Sequence, residues 1–157
     1  MKSAFTTSGN EFINQVHSKV AAPFSEKRVL LFTCFPAFGT GTFSIQYIED
    51  ETPFLITREW KPDANSAYPL GVHLYDLNSI SIRERKMLVS ESAREWIYGM
   101  KQMDWTVRKS EGIMLDGVHY SLTFEEKTIR WTYGDAVSPE LESALEKLCQ
   151  VAGFSLK

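Results

Sequence analysis

The chain has 157 residues, 43% of them hydrophobic and 24% charged, with a formal net charge of −3. A chain of this length buries roughly 70% of the surface it would expose unfolded, so one globular domain over residues 1–157 with a substantial core is expected. The mild acidity counts against a nucleic-acid binder, which needs a basic face. The longest apolar run, Val29 to Phe38, contains Thr33 and Pro36 and is too short to span a bilayer, which counts against a membrane role.

Two cysteines, Cys34 and Cys149, make no disulfide framework. Both sit among apolar neighbours and read as buried, reduced thiols. The first residues, Met1 to Phe5, carry no apolar stretch of the signal-peptide kind. Together these point to a reducing, cytoplasmic setting.

In chain order, Ser8-Gly9-Asn10-Glu11 matches a capping box, and Phe12, Ile13, Val16 and Val20 recur at helical spacing behind it. His17 lies beside that stripe and reads as a helix-edge residue, since a metal ligand would need partners. Lys27 to Phe35 holds a continuous apolar run rich in strand formers, the pattern of a strand covered on both faces. Gly39-Thr40-Gly41 resembles a phosphate loop only superficially, because Phe43, Ile45 and Tyr47 then alternate as a strand where a phosphate loop requires a helix. Glu49-Asp50-Glu51 reads as a solvated hairpin tip. Pro53 then opens a strand with Phe54, Ile56 and Trp60 on one face.

Lys61 to Gly71 holds Pro62, Asn65, Pro69 and Gly71 and reads as a long loop, a feature that is commonly functional. Its Tyr68 is a candidate contact residue. Val72 to Tyr75 reads as a short strand, on which His73 and Asp76 point to opposite faces and make no acid–base pair. Arg83-Glu84-Arg85-Lys86 reads as a solvated connection. Ser92 to Glu95 forms a second capping box, leading a helix with Ala93, Trp96, Ile97 and Met100 inward.

The clearest pattern runs from Trp105 to Phe154: strand, turn, strand, turn, strand, helix. Asp116-Gly117 suits a tight hairpin turn. Val118, Tyr120, Leu122 and Phe124 then alternate with His119, Ser121 and Thr123, and Ile129, Trp131 and Tyr133 alternate with Thr128, Arg130 and Thr132. Pairing Phe124 with Ile129, Leu122 with Trp131 and Tyr120 with Tyr133 gives a ribbon with one greasy and one wet face. On the wet face Arg130 would oppose Thr123, and Thr132 would oppose Ser121. Ser138 as N-cap, Pro139 at the first helical position and Gly153 as stop bracket a helix with Leu141, Ala144, Leu145, Leu148, Cys149 and Ala152 inward.

The sum is an α+β fold: a single curved antiparallel sheet of about six to seven strands, with three helices (near the N-terminus, mid-chain and C-terminal) packed on one face. No zinc spacing, nucleophile elbow, Walker or dinucleotide fingerprint is present, so no catalytic residue, metal or cofactor is expected. A Cys34 nucleophile is disfavoured because its apolar surroundings raise the thiol pKa.

One constellation remains, the wet-face group His119, Ser121, Thr123, Arg130 and Thr132. Arginine favours interfaces, so this group reads as a recognition surface with Arg130 as its charge anchor. The expected function is a small cytoplasmic, non-enzymatic protein-binding module, of the kind represented by immunity proteins, secretion chaperones and adaptors. The element order is similar to that of small acidic secretion chaperones, a likeness at the level of fold alone. The partner is another protein, basic if it answers the net charge of the chain. Two alternatives stand beside this reading: a small-ligand binder whose pocket is lined by Trp60, Trp96, Trp105 and Trp131, and an enzyme with loop-borne residues.

Overall fold

The computed structural model describes residues 9–36, 41–60, 80–111 and 117–156. Helix α1 (Gly9–Ala21) leads into the strands β1 (Arg28–Pro36), β2 (Thr42–Ile48), β3 (Phe54–Trp60) and β4 (Ile82–Leu88). Helix α2 (Glu91–Gly99) continues as one 3-10 turn at Met100–Gln102, and β5 (Val118–Phe124), β6 (Lys127–Thr132) and α3 (Pro139–Ala152) complete the order. The six strands form one open antiparallel sheet in the order β4-β3-β2-β1-β5-β6. The α+β class, the single sheet and the three helices are as the sequence predicts.

The expected placement of all three helices on one face needs correction for α1. Side chains alternate across a strand, so Leu30, Phe32 and Cys34 of β1 share a face with Phe43, Ile45 and Tyr47 of β2 and with Tyr120, Leu122 and Phe124 of β5. That face carries the main core and meets Ile97 and Met100 beside Leu141, Leu145, Leu148 and Cys149. Helix α1 instead packs Phe12, Val16 and Val20 against Trp60, Phe35 and Ile82, which lie on the far face. An amphipathic stripe specifies that a helix must be covered, but not by which side of a sheet.

What holds α1 there is polar as well as apolar. Thr42, Ser44 and Gln46 of β2 point to the far face and are buried. The Ser44 hydroxyl donates to the Val20 carbonyl at 2.6 Å, and the Gln46 amide donates to the Ala22 carbonyl at 2.8 Å while accepting from the Phe24 N–H at 3.1 Å. Arg58 also donates to the Ala22 carbonyl. The last carbonyls of a helix lack partners within the helix, and here the sheet supplies them, with a cation at the negative end of the dipole. On the core face Arg85 does the same for α3, its guanidinium 2.8 Å from the Ala152 carbonyl. Gly153 closes that helix at φ 86°, and a Cβ there would stand 2.9 Å from the Arg85 guanidinium.

Arg85 also marks an element that sequence reasoning misses. The charge run expected as a solvated connection is the edge strand β4, paired with β3 from Trp60↔Ile82 to Phe54↔Leu88. Charged residues on an edge strand discourage further pairing, which is why this strand does not look like one. The cap of α2 also differs from expectation. Ser90, not Ser92, accepts from the Ala93 N–H at 3.1 Å. Trp105 to Lys109 forms no strand. Its only ladder contact among the described residues is an isolated bridge, Arg108↔Ala136, and β5 pairs with β1 and β6 instead. Asp116, Ser8, Gly39 and Thr40 lie outside the described residues.

Candidate functional site

The β5–β6 hairpin turns through two residues, Glu125 and Glu126, with Glu125 in the left-handed region at φ 54°. The observed pairs are Phe124↔Lys127, Leu122↔Ile129 and Tyr120↔Trp131, two residues from the expected register. A slip of two preserves every side chain's face, where a slip of one would have inverted them all. Trp131 is therefore inside, 7% exposed, and Arg130 is outside. The wet-face pairs become Ser121↔Arg130, Thr123↔Thr128 and His119↔Thr132.

The five predicted residues do share one face, but they differ in how far their bonding is already committed. Ser121 and Thr33 of β1 share a hydrogen bond of 2.5 Å between their hydroxyls, and the Thr123 and Thr128 hydroxyls are 3.0 Å apart. Thr132 gives its N–H and its hydroxyl to Asp135, at 2.9 and 3.1 Å. These three are half-buried. His119 and Arg130 are exposed and form no side-chain hydrogen bond or ion pair with another described residue. Because Ser121 is bonded to Thr33, and no carboxylate is bonded to His119 among the described residues, the pair lacks the orienting acid of a hydrolytic triad. Tyr68, the loop candidate, and His73 lie outside the described residues.

Three residues beside this face, Phe35, His17 and Asp135, come from outside the five. Phe35 pairs with His119 across β1 and β5, and the His17 ring of α1 stacks on Phe35 with centroids 4.0 Å apart and planes at 4°. Burial, and secondarily the charge of His119, lower the pKa of His17. Of the three, Asp135 is the one that sequence reasoning passes over. It accepts from the Ser110 N–H at 2.7 Å as well as from Thr132, and these bonds hold its carboxyl down at about 2. The Gly134-Asp135 turn pair is the signal that could have found it.

The remaining candidates resolve differently. The acidic run after β2 is largely engaged. Glu49 accepts two bonds from Arg94, at 2.8 and 3.0 Å, and others from the Tyr98 and Tyr47 hydroxyls. These partners, Arg94 first, lower its pKa, while burial and Glu49 raise those of both tyrosines. Asp50 pairs with Lys27 at 2.9 Å. Burial pushes the Cys34 and Cys149 thiols up to about 12 each, far from a reactive thiolate. The four tryptophans line no common pocket. Trp60 stands edge-on to Phe12 on the far face, while Trp96, Trp105 and Trp131 belong to the core on the other side of the sheet.

Among the described residues no group of three or more His, Cys, Asp and Glu could hold a metal ion. None of the described helices is long and apolar enough to cross a membrane. Comparison with family models, with curated proteins and with solved structures finds no match to this chain.

Proposed function

We propose that the chain is a non-enzymatic protein-binding module of the cytoplasm, and that the far face of β5–β6 is its contact surface. The observation that carries this reading is the division of the far face. Helix α1 covers the β2–β3 part, where polar side chains are buried and bonded, while His119, Thr128 and Arg130 at the other end are exposed. An arginine on a rigid sheet, with no ion pair to another described residue, offers a fork of donors to a carboxylate or carbonyl of another protein. Ser121, Thr123 and Thr132 are fixed by their own hydrogen bonds, so the surface around Arg130 is preorganised and little ordering entropy remains to be lost on binding.

The raised thiol pKa values count against the enzymatic alternative in its cysteine form. Arg130 calls for acidic or carbonyl groups in the partner's contact patch, even if the partner as a whole is basic. The test is quantitative affinity capture with the parent and Arg130→Ala, after matching their urea midpoints. The reading expects at least one partner recovered by the parent to be depleted with the variant. Identical recoveries would overturn it.

A further inference from the structure

At the end of β6, on the side opposite Arg130, the chain forms a cleft of about 200 Å³ between the Thr132–Val137 turn and α3. Its floor is aromatic. Tyr120 and Trp131 lie with ring centroids 5.4 Å apart and planes at 26°, and Tyr133 stands at the rim, 53% exposed. The α3 wall contributes Glu142 and Glu146, both exposed and without an ion pair to another described residue.

These carboxylates are four residues apart on a helix, where side chains are neighbours and like charges repel. Two cations near them among the described residues are engaged elsewhere. Lys147 stands over the Trp96 ring at 4.9 Å, and Lys109 pairs with Asp135 at 3.4 Å. Asp135 also lines the cleft, but its oxygens already accept from Ser110 and Thr132.

We propose that this cleft binds an organic cation, an ammonium or guanidinium group carried on an alkyl stem. Aromatic faces attract cations through their quadrupole, most strongly when the site excludes water, and the Glu142 and Glu146 carboxylates beside them, with no ion pair to another described residue, add the missing charge. The volume falls below the roughly 300–1,000 Å³ of drug-sized ligand sites, so it suits one head group rather than a large molecule. The cation can be a free quaternary ammonium or a lysine or arginine side chain of another protein. The inference does not depend on the Arg130 surface: Thr132 borders both sites, but the groups that would hold the cation, Tyr120, Trp131, Tyr133, Glu142 and Glu146, belong to the cleft alone.

The test is a titration of the isotope-labelled protein with tetramethylammonium, N-acetyl-lysine amide and N-acetyl-arginine amide, following the Trp131 indole and Tyr133 signals by NMR. N-acetyl-norleucine amide, which keeps the alkyl stem and lacks the ammonium, serves as the uncharged control. The proposal expects saturable shifts with the cations, roughly tenfold weaker binding of norleucine, and a similar loss in the E142Q/E146Q variant. Tyr133→Ala, at an exposed position, should weaken binding while leaving the rest of the spectrum intact. Tighter binding of tetramethylammonium assigns a free ligand, and tighter binding of the amino-acid amides assigns a partner side chain. Norleucine binding as well as lysine, undiminished binding to E142Q/E146Q, or no saturable shift with any cation would overturn the proposal.

Discussion

The two halves of the far face both carry polar side chains, but these end in opposite conditions. Over β2 and β3, Ser44, Gln46 and Arg58 lie under the end of α1 and are bonded to its terminal carbonyls. Over β5 and β6, residues of the same polar kind lie at the edge of the sheet, and His119, Thr128 and Arg130 face solvent. A buried polar group must find an internal partner, because leaving it unpaired costs about 1–3 kcal/mol. An exposed one has water and remains available. Polar residues on a strand are thus compatible with either fate, and the covering helix decides between them.

The largest effect should come from beneath the open half. Trp131→Ala removes a ring packed near Tyr120 and Phe32 and should cost about 3–5 kcal/mol in urea unfolding. A loss within error would mean that the hairpin's faces are reversed. In the covered half, Gln46→Ala deprives the Phe24 N–H of its partner and leaves the Ala22 carbonyl with Arg58 alone, at an expected cost of about 1–3 kcal/mol. If it proved neutral, the polar docking of α1 would be dispensable.

A smaller effect is expected at the end of the open half, where Asp135 ties down Thr132. Its folded pKa of about 2 lies below the ordinary 3.8, so between these values the unfolded chain takes up a proton that the folded chain refuses. The stabilisation is present above the ordinary value and is lost as pH falls through the folded one. Asp135→Asn should therefore be less stable than the parent near neutral pH, with a gap that narrows as pH is lowered from about 4 towards 2. A constant gap would show that the carboxylate charge is irrelevant. The smallest effect on stability is assigned to Arg130→Ala, within about 0.5 kcal/mol of the parent by urea unfolding. A larger cost would mean that this side chain supports the fold and is not held free.

The comparison also explains what could be read from the chain alone. Helix α3 was legible from end to end, because Ser138, Pro139 and Gly153 each act locally on the backbone. The faces of β5 and β6 were legible because alternation fixes parity. Their register was not, because parity is blind to a slip of two and the turn could be placed either way. Strand β4 was hidden by the charges that protect an edge. The buried polar row of β2 was hidden for a different reason. Alternation suggests that Thr42, Ser44 and Gln46 face water, and only the arrival of α1 on that side makes them interior. Of the candidate site, the shared face could be read. The commitment of Thr132 to Asp135 could not, because it depends on a turn outside the strands.

The central claim, that the open half is the contact surface, is tested most directly by site-specific photo-crosslinking. Benzoylphenylalanine is placed at the exposed Thr128 on this surface, or at the exposed Lys19 on α1, and the chain is irradiated in cells. The account predicts a discrete crosslinked protein from position 128 that is absent from position 19 and is diminished by Arg130→Ala. Equal crosslinking from both positions, or a product from position 19 alone, would contradict it.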